Sequence, residues 1–360
     1  DVLGANSRDE NAELRLQFDA HDQRWAVQAD YQLIARHGDT LAMSEKLGST
    51  LFVPGAIPID DHRWWNLTDE LRRTDDAALV QRLDRLHLDY TGDALVVRFG
   101  RQAVSWGNGL IYNPMDVFNP FDPTAIDTEY KVGDDMLYSQ YLTDSGNDWQ
   151  FVQAWRRDAS GAVSHRVNST AVKYHGFLAG GEREFDLLFA QHYDEWLLGL
   201  GGAASVGGAV LRGDITLTET ERDWVASAVA NWSYSYQWGG RNVSAVVEYF
   251  YNGFGLHRDD YSLAAVLDNS ELVQRINRGE LYTLGRHYLA GSVLLEVTPL
   301  FTLTPNVFVN LEDGSALSQL SAQWDIAQNW QILASISVPI GPSGTEYGGL
   351  KSELNGLSSQ

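Results

Sequence analysis

The sequence predicts an all-β fold, an antiparallel up-and-down barrel of the membrane-spanning kind. Three observations carry the prediction: period-two alternation along the whole chain, aromatic residues at the ends of the apolar faces, and connections that alternate between short and long. Composition agrees with it. Of 360 residues, 44% are hydrophobic and 11% aromatic, enough for an ordered core, yet mean hydropathy is negative. No run approaches the roughly 18 apolar residues of a spanning helix. Cysteine is absent, so neither disulfides nor thiolate metal sites are available. The net charge of −22 disfavours nucleic acid. The opening DVLGANSRDENAEL is not a signal peptide, so the expectation is either a leader already removed or a cytosolic chain.

Taken in order, the segments repeat one pattern. RWAVQADYQLIA puts Trp25, Val27, Ala29, Tyr31 and Leu33 on one face, with Arg24, Gln28, Asp30 and Gln32 on the other. DWVASAVANWSYSYQW sets Trp224, Trp232, Tyr234 and Tyr236 against Ser227, Asn231, Ser233 and Ser235. NVSAVVEYFY and NWQILASISVPI do the same, with Glu248 on the polar face of the first and Trp330 opening the apolar face of the second. There are about sixteen such segments of roughly 8 to 12 residues, the length a tilted strand needs to cross an outer-membrane-type bilayer. A soluble sandwich, propeller or β-helix would alternate as well, but no repeated motif of propeller length is present.

The connections sort by parity. AHDQR, TGD, DSGND, VGG, WGGRN, TPL and AQN are short, HGFLAGGERE is the longest of that set, and the long connections 36–82, 103–135 and 252–286 fall between them. Membrane barrels have short periplasmic turns and long external loops, whereas a sandwich has no reason to sort its loops this way. The same parity places both chain ends on the outer side. The expectation is therefore a parent barrel of roughly eighteen strands, with one strand lacking at each end. The tail GLKSELNGLSSQ has a polar loop composition.

If the apolar face meets lipid, the other face lines a lumen. The early segments bring Arg15, Asp19, Asp30, Arg85, His87, Asp89 and Arg98 inward, and the later ones Arg212, Asp214, Glu248 and Glu296. Opposed ladders of this kind set up a transverse field that orients water and polar solutes. Arg101 shares the apolar face of Leu95, Val97 and Phe99, so it either snorkels at the outer rim or is turned inward by a bulge.

The segment GRQAVSWGNGLIYNPMDVFNPFDP follows a strand on the long-loop side and is too apolar for a solvated tip. Its Asn-Pro and Asp-Pro steps, at prolines 114, 120 and 123, stiffen it. Such a loop finds cover by folding into the lumen and narrowing it. Trp106, Tyr112, Asp116, Phe118 and Phe121 are the expected constriction residues, together with Arg101. Residues 60–82 contain a helix-like stretch with Leu67, Leu71 and Ala78, and Thr68 or Asp69 as N-caps. SLAAVLDNSELVQRINRGEL reads as one or two short helices broken near Asp268 and Asn269.

GRQAVSWGNG followed by NPMDVFNPFDP resembles the strand-then-loop signature of a family of porin-like outer-membrane proteins, similar in general plan to alginate-export and substrate-specific porins. The match covers about one tenth of the chain. The resemblance implies an eighteen-stranded type of barrel with an inward constriction loop, and names no substrate.

The function expected is an outer-membrane channel that passes a small solute through a charged lumen narrowed by the 103–135 loop. Its surroundings would be the lipid bilayer and lipopolysaccharide. An alternative is the outer-membrane component of an exporter for lipid or another hydrophobic compound, with envelope partners. A third class is a barrel-housed hydrolase or a structural or adhesin barrel. Ser105, His87 and Asp89 lie near one another in sequence, but catalysis is disfavoured because no Gly-x-Ser-x-Gly elbow or His-Glu-x-x-His site exists. No cofactor is expected. The acidic external stretches at 60–62, 134–135 and 258–260 are candidate sites for divalent cations, without the spacing of an EF-hand loop.

Overall fold

The computed structural model describes residues 9–39, 41–42, 44, 57–126, 130–259, 261–328 and 330–349, and places 17 strands in one sheet. They are β1 (Asp9–Asp22), β2 (Trp25–Gly38), β3 (Thr68–Arg73), β4 (Ala77–Thr91), β5 (Leu95–Gln102), β6 (Asp134–Leu142), β7 (Asp148–Ala154), β8 (Ser169–Leu178) and β9 (Arg183–His192). The rest are β10 (Glu195–Val206), β11 (Ala209–Glu219), β12 (Trp224–Trp238), β13 (Arg241–Tyr251), β14 (His287–Thr298), β15 (Phe301–Asn310), β16 (Ala316–Ala327) and β17 (Trp330–Ile340). The polar tail from residue 350 and Asp260 of the third acidic stretch lie outside the described residues.

Sequence neighbours pair antiparallel throughout, except that β2 reaches past β3 to β4. Among the described residues β1 and β17 form the two edges of the sheet, with no pairing between them. The sheet nevertheless curls around the 103–133 connection. The Arg15 guanidinium of β1 lies over the Tyr130 ring at 3.7 Å, and Gln319 of β16 donates to the Thr124 carbonyl at 3.0 Å.

Alternation sets the two faces. Phe18, Trp232 and Ile336 stand outward at 60%, 42% and 69% exposure, whereas Asp214 and Glu248 face inward at 1% and 0%. Outward apolar rows suit hydrocarbon, and every strand needs its partners because lipid offers the backbone no hydrogen bonds. One irregularity re-aims a strand. Asp30 opposes Arg85 and Tyr31 opposes Leu83, so Asp84 bulges out of the β2–β4 ladder. Below the bulge Arg85, His87 and Asp89 share the inward face; above it the parity passes to Arg82.

Every connection at one end is short, and the long ones all fall at the other, together with the short turns 193–194 and 220–223. Strand pairing trims two of the long ones, to 39–76 and 103–133. The helix expected within 60–82 is instead the strand β3, so Thr68 and Asp69 cap nothing. The reason is an unoccupied edge: β5 covers only the lower part of β4, from Leu86 to Thr91, and β3 fills the upper part from Arg82 to Ala78. The 252–286 connection does hold two short helices, α1 (Leu263–Asp268) and α2 (Ser270–Asn277). They break at Asn269, whose side chain caps α2 by accepting from the Leu272 N–H at 3.2 Å. No helix among the described residues is long and apolar enough to cross a membrane.

The largest apolar cluster lies inside the sheet. Val104, Trp106, Met115, Val117 and Phe118 of the 103–133 connection pack on Met136, Val152, Ala154, Ala171 and Leu188 of the inward face. Each fully buried large side chain contributes about 1.5–3 kcal/mol.

Candidate functional site

Three carboxylates on alternate strands form a row across the inner wall. Asp186 of β9 and Asp214 of β11 both stand opposite Gly201 of β10, and Glu248 of β13 stands opposite Asn231 of β12. A side chain at Gly201 would meet Asp214 Oδ1 at 2.1 Å and Asn108 Nδ2 at 2.8 Å, so glycine leaves the room the incoming loop needs.

The row grips the loop by its backbone. The Asn108 N–H donates to Asp214 at 2.6 Å, and its side-chain amide bridges Asp186 and Asp214 at 3.0 and 2.8 Å. Glu248 accepts from the N–H groups of Leu110, Ile111 and Tyr112 at 2.7, 3.0 and 2.6 Å. Asn231 completes the arrangement by donating to Glu248 at 3.1 Å and to the Asn108 carbonyl at 3.0 Å. The turn that presents these N–H groups depends on Gly109, where a Cβ would lie 1.8 Å from the Tyr112 carbonyl.

The remainder of the loop is pinned as firmly. Trp106 Nε1 donates to Gln150 at 2.6 Å, and the Tyr112 ring stacks on Phe250 with centroids 4.8 Å apart. Lys131 Nζ donates to both Asp116 oxygens at 2.5 and 2.6 Å and to the Val104 carbonyl at 2.5 Å, closing the loop on itself. Burial pushes the Asp116 carboxyl up to about 6 and the Lys131 amine down, so each group relies on the other to remain charged.

Above the loop, the 252–286 connection forms a lid. Tyr282 Oη donates to the Pro120 carbonyl at 3.2 Å, and a small cleft of about 80 Å³, partly open to solvent, lies between the two loops. Phe121, Phe254 and Arg275 line it. Its charges pair internally, Glu195 with Arg275 at 2.6 Å and Glu280 with His192 at 2.9 Å. Burial works to raise the Glu280 carboxyl, but His192, Arg275 and Arg278 outweigh it and hold the group at about 2. Residues 341–349 seat this lid: Glu346 accepts from the Leu284 N–H at 3.0 Å and from Asn310 at 2.6 Å, and burial pushes its carboxyl up to about 7.

Most sequence-predicted site residues do face inward, in different roles. Arg15, Arg82 and Arg85 surround Asp84 at 3.4, 3.2 and 2.7 Å, and Asp30 stands opposite Arg85. Asp89 takes His87 at 2.9 Å and Arg98 at 2.7 Å. Arg212 donates to Ser233 at 2.8 Å, and Glu296 accepts from Asn242 at 2.6 Å near the short-turn end. Asp214 and Glu248, expected among the opposed ladders, accept from the loop backbone.

Arg101 is not in the lumen. The β5–β6 register runs without a bulge, so Arg101 and Asp135 keep the outward face of Phe99 and Leu137. Nor does Arg101 snorkel. The segment 57–66 folds over it, and Arg101 is 0% exposed between Asp135 at 2.8 Å, Asp60 at 2.7 Å and the Trp65 carbonyl at 2.7 Å. Trp64, Trp65 and Trp155 gather around Phe99 beside it. The expected cation sites at 60–62 and 134–135 are thus occupied by guanidinium groups, Asp134 being bound to Arg156 at 2.5 Å. No group of three or more metal-ligating side chains stands together among the described residues. Of the three residues weighed as a triad, His87 and Asp89 bond to each other at 2.9 Å, whereas Ser105 accepts from Lys131 at 3.1 Å.

Sequence reasoning missed Asp186, Asn108 and Lys131, and read Asp60 and Asp135 only as candidate cation ligands. The signal within reach was a lone lysine in an otherwise aromatic loop; the carboxylates carried none, since their partners are distant in sequence.

No protein-family model matches this chain, and no curated protein does. Solved structures do. Wzi of Escherichia coli, an outer-membrane protein involved in group 1 capsule assembly and described as a carbohydrate-binding β-barrel, superposes with a TM-score of 0.55 at 11% identity, over 91% of this chain and 74% of its own. OccK1 (OpdK) of Pseudomonas aeruginosa is similar at a TM-score of 0.46 and 8% identity, over 92% and 87% of the two chains. OprB of Pseudomonas putida is similar at 0.41 and 10%, over 91% and 87%. With its outward apolar rows, sorted loops and inward polar face, the chain has the fold of a β-barrel of the bacterial outer membrane.

Proposed function

We propose that this chain is an outer-membrane channel for a small solute, with the 103–133 loop as its constriction. The observation that carries this reading is the grip of Glu248 on three consecutive backbone N–H groups of that loop. Three N–H groups held by one fully buried carboxylate of the inner wall tie the loop inside the sheet, which is where a constriction belongs. The inward arginines pair with carboxylates while Asp214 and Glu248 hold the loop, so selectivity in the wet path follows from radius and local field. Ser105 bonds to Lys131 rather than to a histidine, which favours a channel over a hydrolase. The outer rim would meet lipopolysaccharide.

Single-channel recording in planar bilayers tests the proposal, with residues 106–124 present or replaced by a short Gly-Ser linker. The expected result is a small unitary conductance that rises several-fold in the linker variant. Equal conductances would remove the constriction, and silence from both proteins would remove the channel.

A further inference from the structure

The wall from β12 to β17 differs from the rest of the lumen. None of its inward positions holds Lys or Arg, and what it presents includes Ser233, Ser235, Ser244, Asn306, Gln319 and Ser321. These groups bond mainly to each other or to backbone: Ser235 with Ser244 at 2.8 Å, Asn306 with Gln319 at 3.2 Å, and Ser321 with the Thr304 carbonyl at 3.2 Å. The acids of this wall are all engaged. Glu248 holds the loop, while Glu296 and Asp325 sit toward the short-turn end and accept from Asn242 at 2.6 Å and Gln331 at 2.9 Å. On the opposite wall Asp186 is matched by Lys173 at 2.8 Å and His175 at 3.0 Å, and Asp84 and Asp89 by their arginines. Arg212 marks the border between the two walls, and its guanidinium donates to Ser233.

Hydroxyl and amide groups both donate and accept, so they exchange one for one with the hydrogen bonds a hydroxylated molecule makes to water. An anion on the same path sheds hydration and meets no cation, only Glu248, Glu296 and Asp325, whose partners are all neutral amides. We infer that the solute is polyhydroxylated and carries no negative charge, and that it travels along the β12–β17 wall; this rests on the channel reading above.

Glucose, glucuronate and protonated glucosamine share one ring and differ in charge, so swelling of proteoliposomes in each, alongside ion currents from the same preparation, separates the two claims. Glucose and protonated glucosamine are both expected to enter about fivefold or more faster than glucuronate. Installing a cation on the wall by Ser321→Lys or Ser235→Lys, in protein that still shows a folded band on electrophoresis, is expected to bring glucuronate within about twofold of glucose. Currents accompanied by glucuronate that keeps pace with glucose would overturn the inference and leave the channel standing, as would a preference that neither lysine moves. Absence of ion current would overturn the channel reading, and the inference with it.

Discussion

Glu248→Ala is expected to raise the unitary conductance several-fold and to make the open current noisy. Removing the carboxylate strands the N–H groups of Leu110, Ile111 and Tyr112 and the Asn231 amide, all of which it accepts from. Each buried donor left without a partner costs about 1–3 kcal/mol. That is enough to release the turn while the apolar anchors Trp106 and Phe118 stay seated. Glu248→Gln keeps one acceptor oxygen and should fall between the two. Planar-bilayer recording of the three proteins reads this directly, and a Glu248→Ala conductance equal to that of the parent would show that the carboxylate does not set the width of the bore.

Arg101→Met should be the most destabilising single change in the wall. It leaves Asp60 and Asp135 facing each other under the 57–66 segment, with Arg63 at 2.7 Å as the remaining cation on Asp60. Breaking one side of a buried pair costs about 3–5 kcal/mol, far more than the pair itself is worth. Burial acts to raise the Asp60 carboxyl, but Arg63 and Arg101 hold it well below the usual carboxylate range. With a depressed folded pKa, its stabilisation is present at neutral pH and is lost only as pH falls through the folded value. The temperature at which the folded band converts to the unfolded one on electrophoresis should fall markedly for Arg101→Met and recover in a triple variant that also carries Asp60→Asn and Asp135→Asn. A transition unchanged in the single variant would mean that the segment is held by its tryptophans alone.

Much of this architecture was legible because it is local. A period of two needs only adjacent residues, and the parity of turn lengths needs only the strand ends, so the faces of β2, β12, β13 and β17 and the sorting of the loops read straight from the chain. The break between α1 and α2 was legible for the same reason, since Asn269 caps within its own turn. What failed was non-local. Thr68 to Arg73 carry a weak mixed spacing that a helix or a strand can satisfy, and the vacant upper edge of β4 decides in favour of the strand. Arg101 looked like an exception to its face until the 57–66 segment supplied Asp60 from 41 residues away. Asp214 and Glu248 read as charges offered to a solute because their partners, the N–H groups of Asn108 to Tyr112, lie more than one hundred residues distant and leave no trace in the pattern.

The chain contains no cysteine, so single cysteines can report which way each strand faces. Placed in turn at Trp232, Ser233, Tyr234 and Ser235 of β12 in the membrane-embedded protein, they are to be exposed to a charged, water-borne thiol reagent. Labelling at Ser233→Cys and Ser235→Cys with protection at Trp232→Cys and Tyr234→Cys is the predicted result. Uniform labelling, or the reverse alternation, would contradict an aqueous bore walled by these strands.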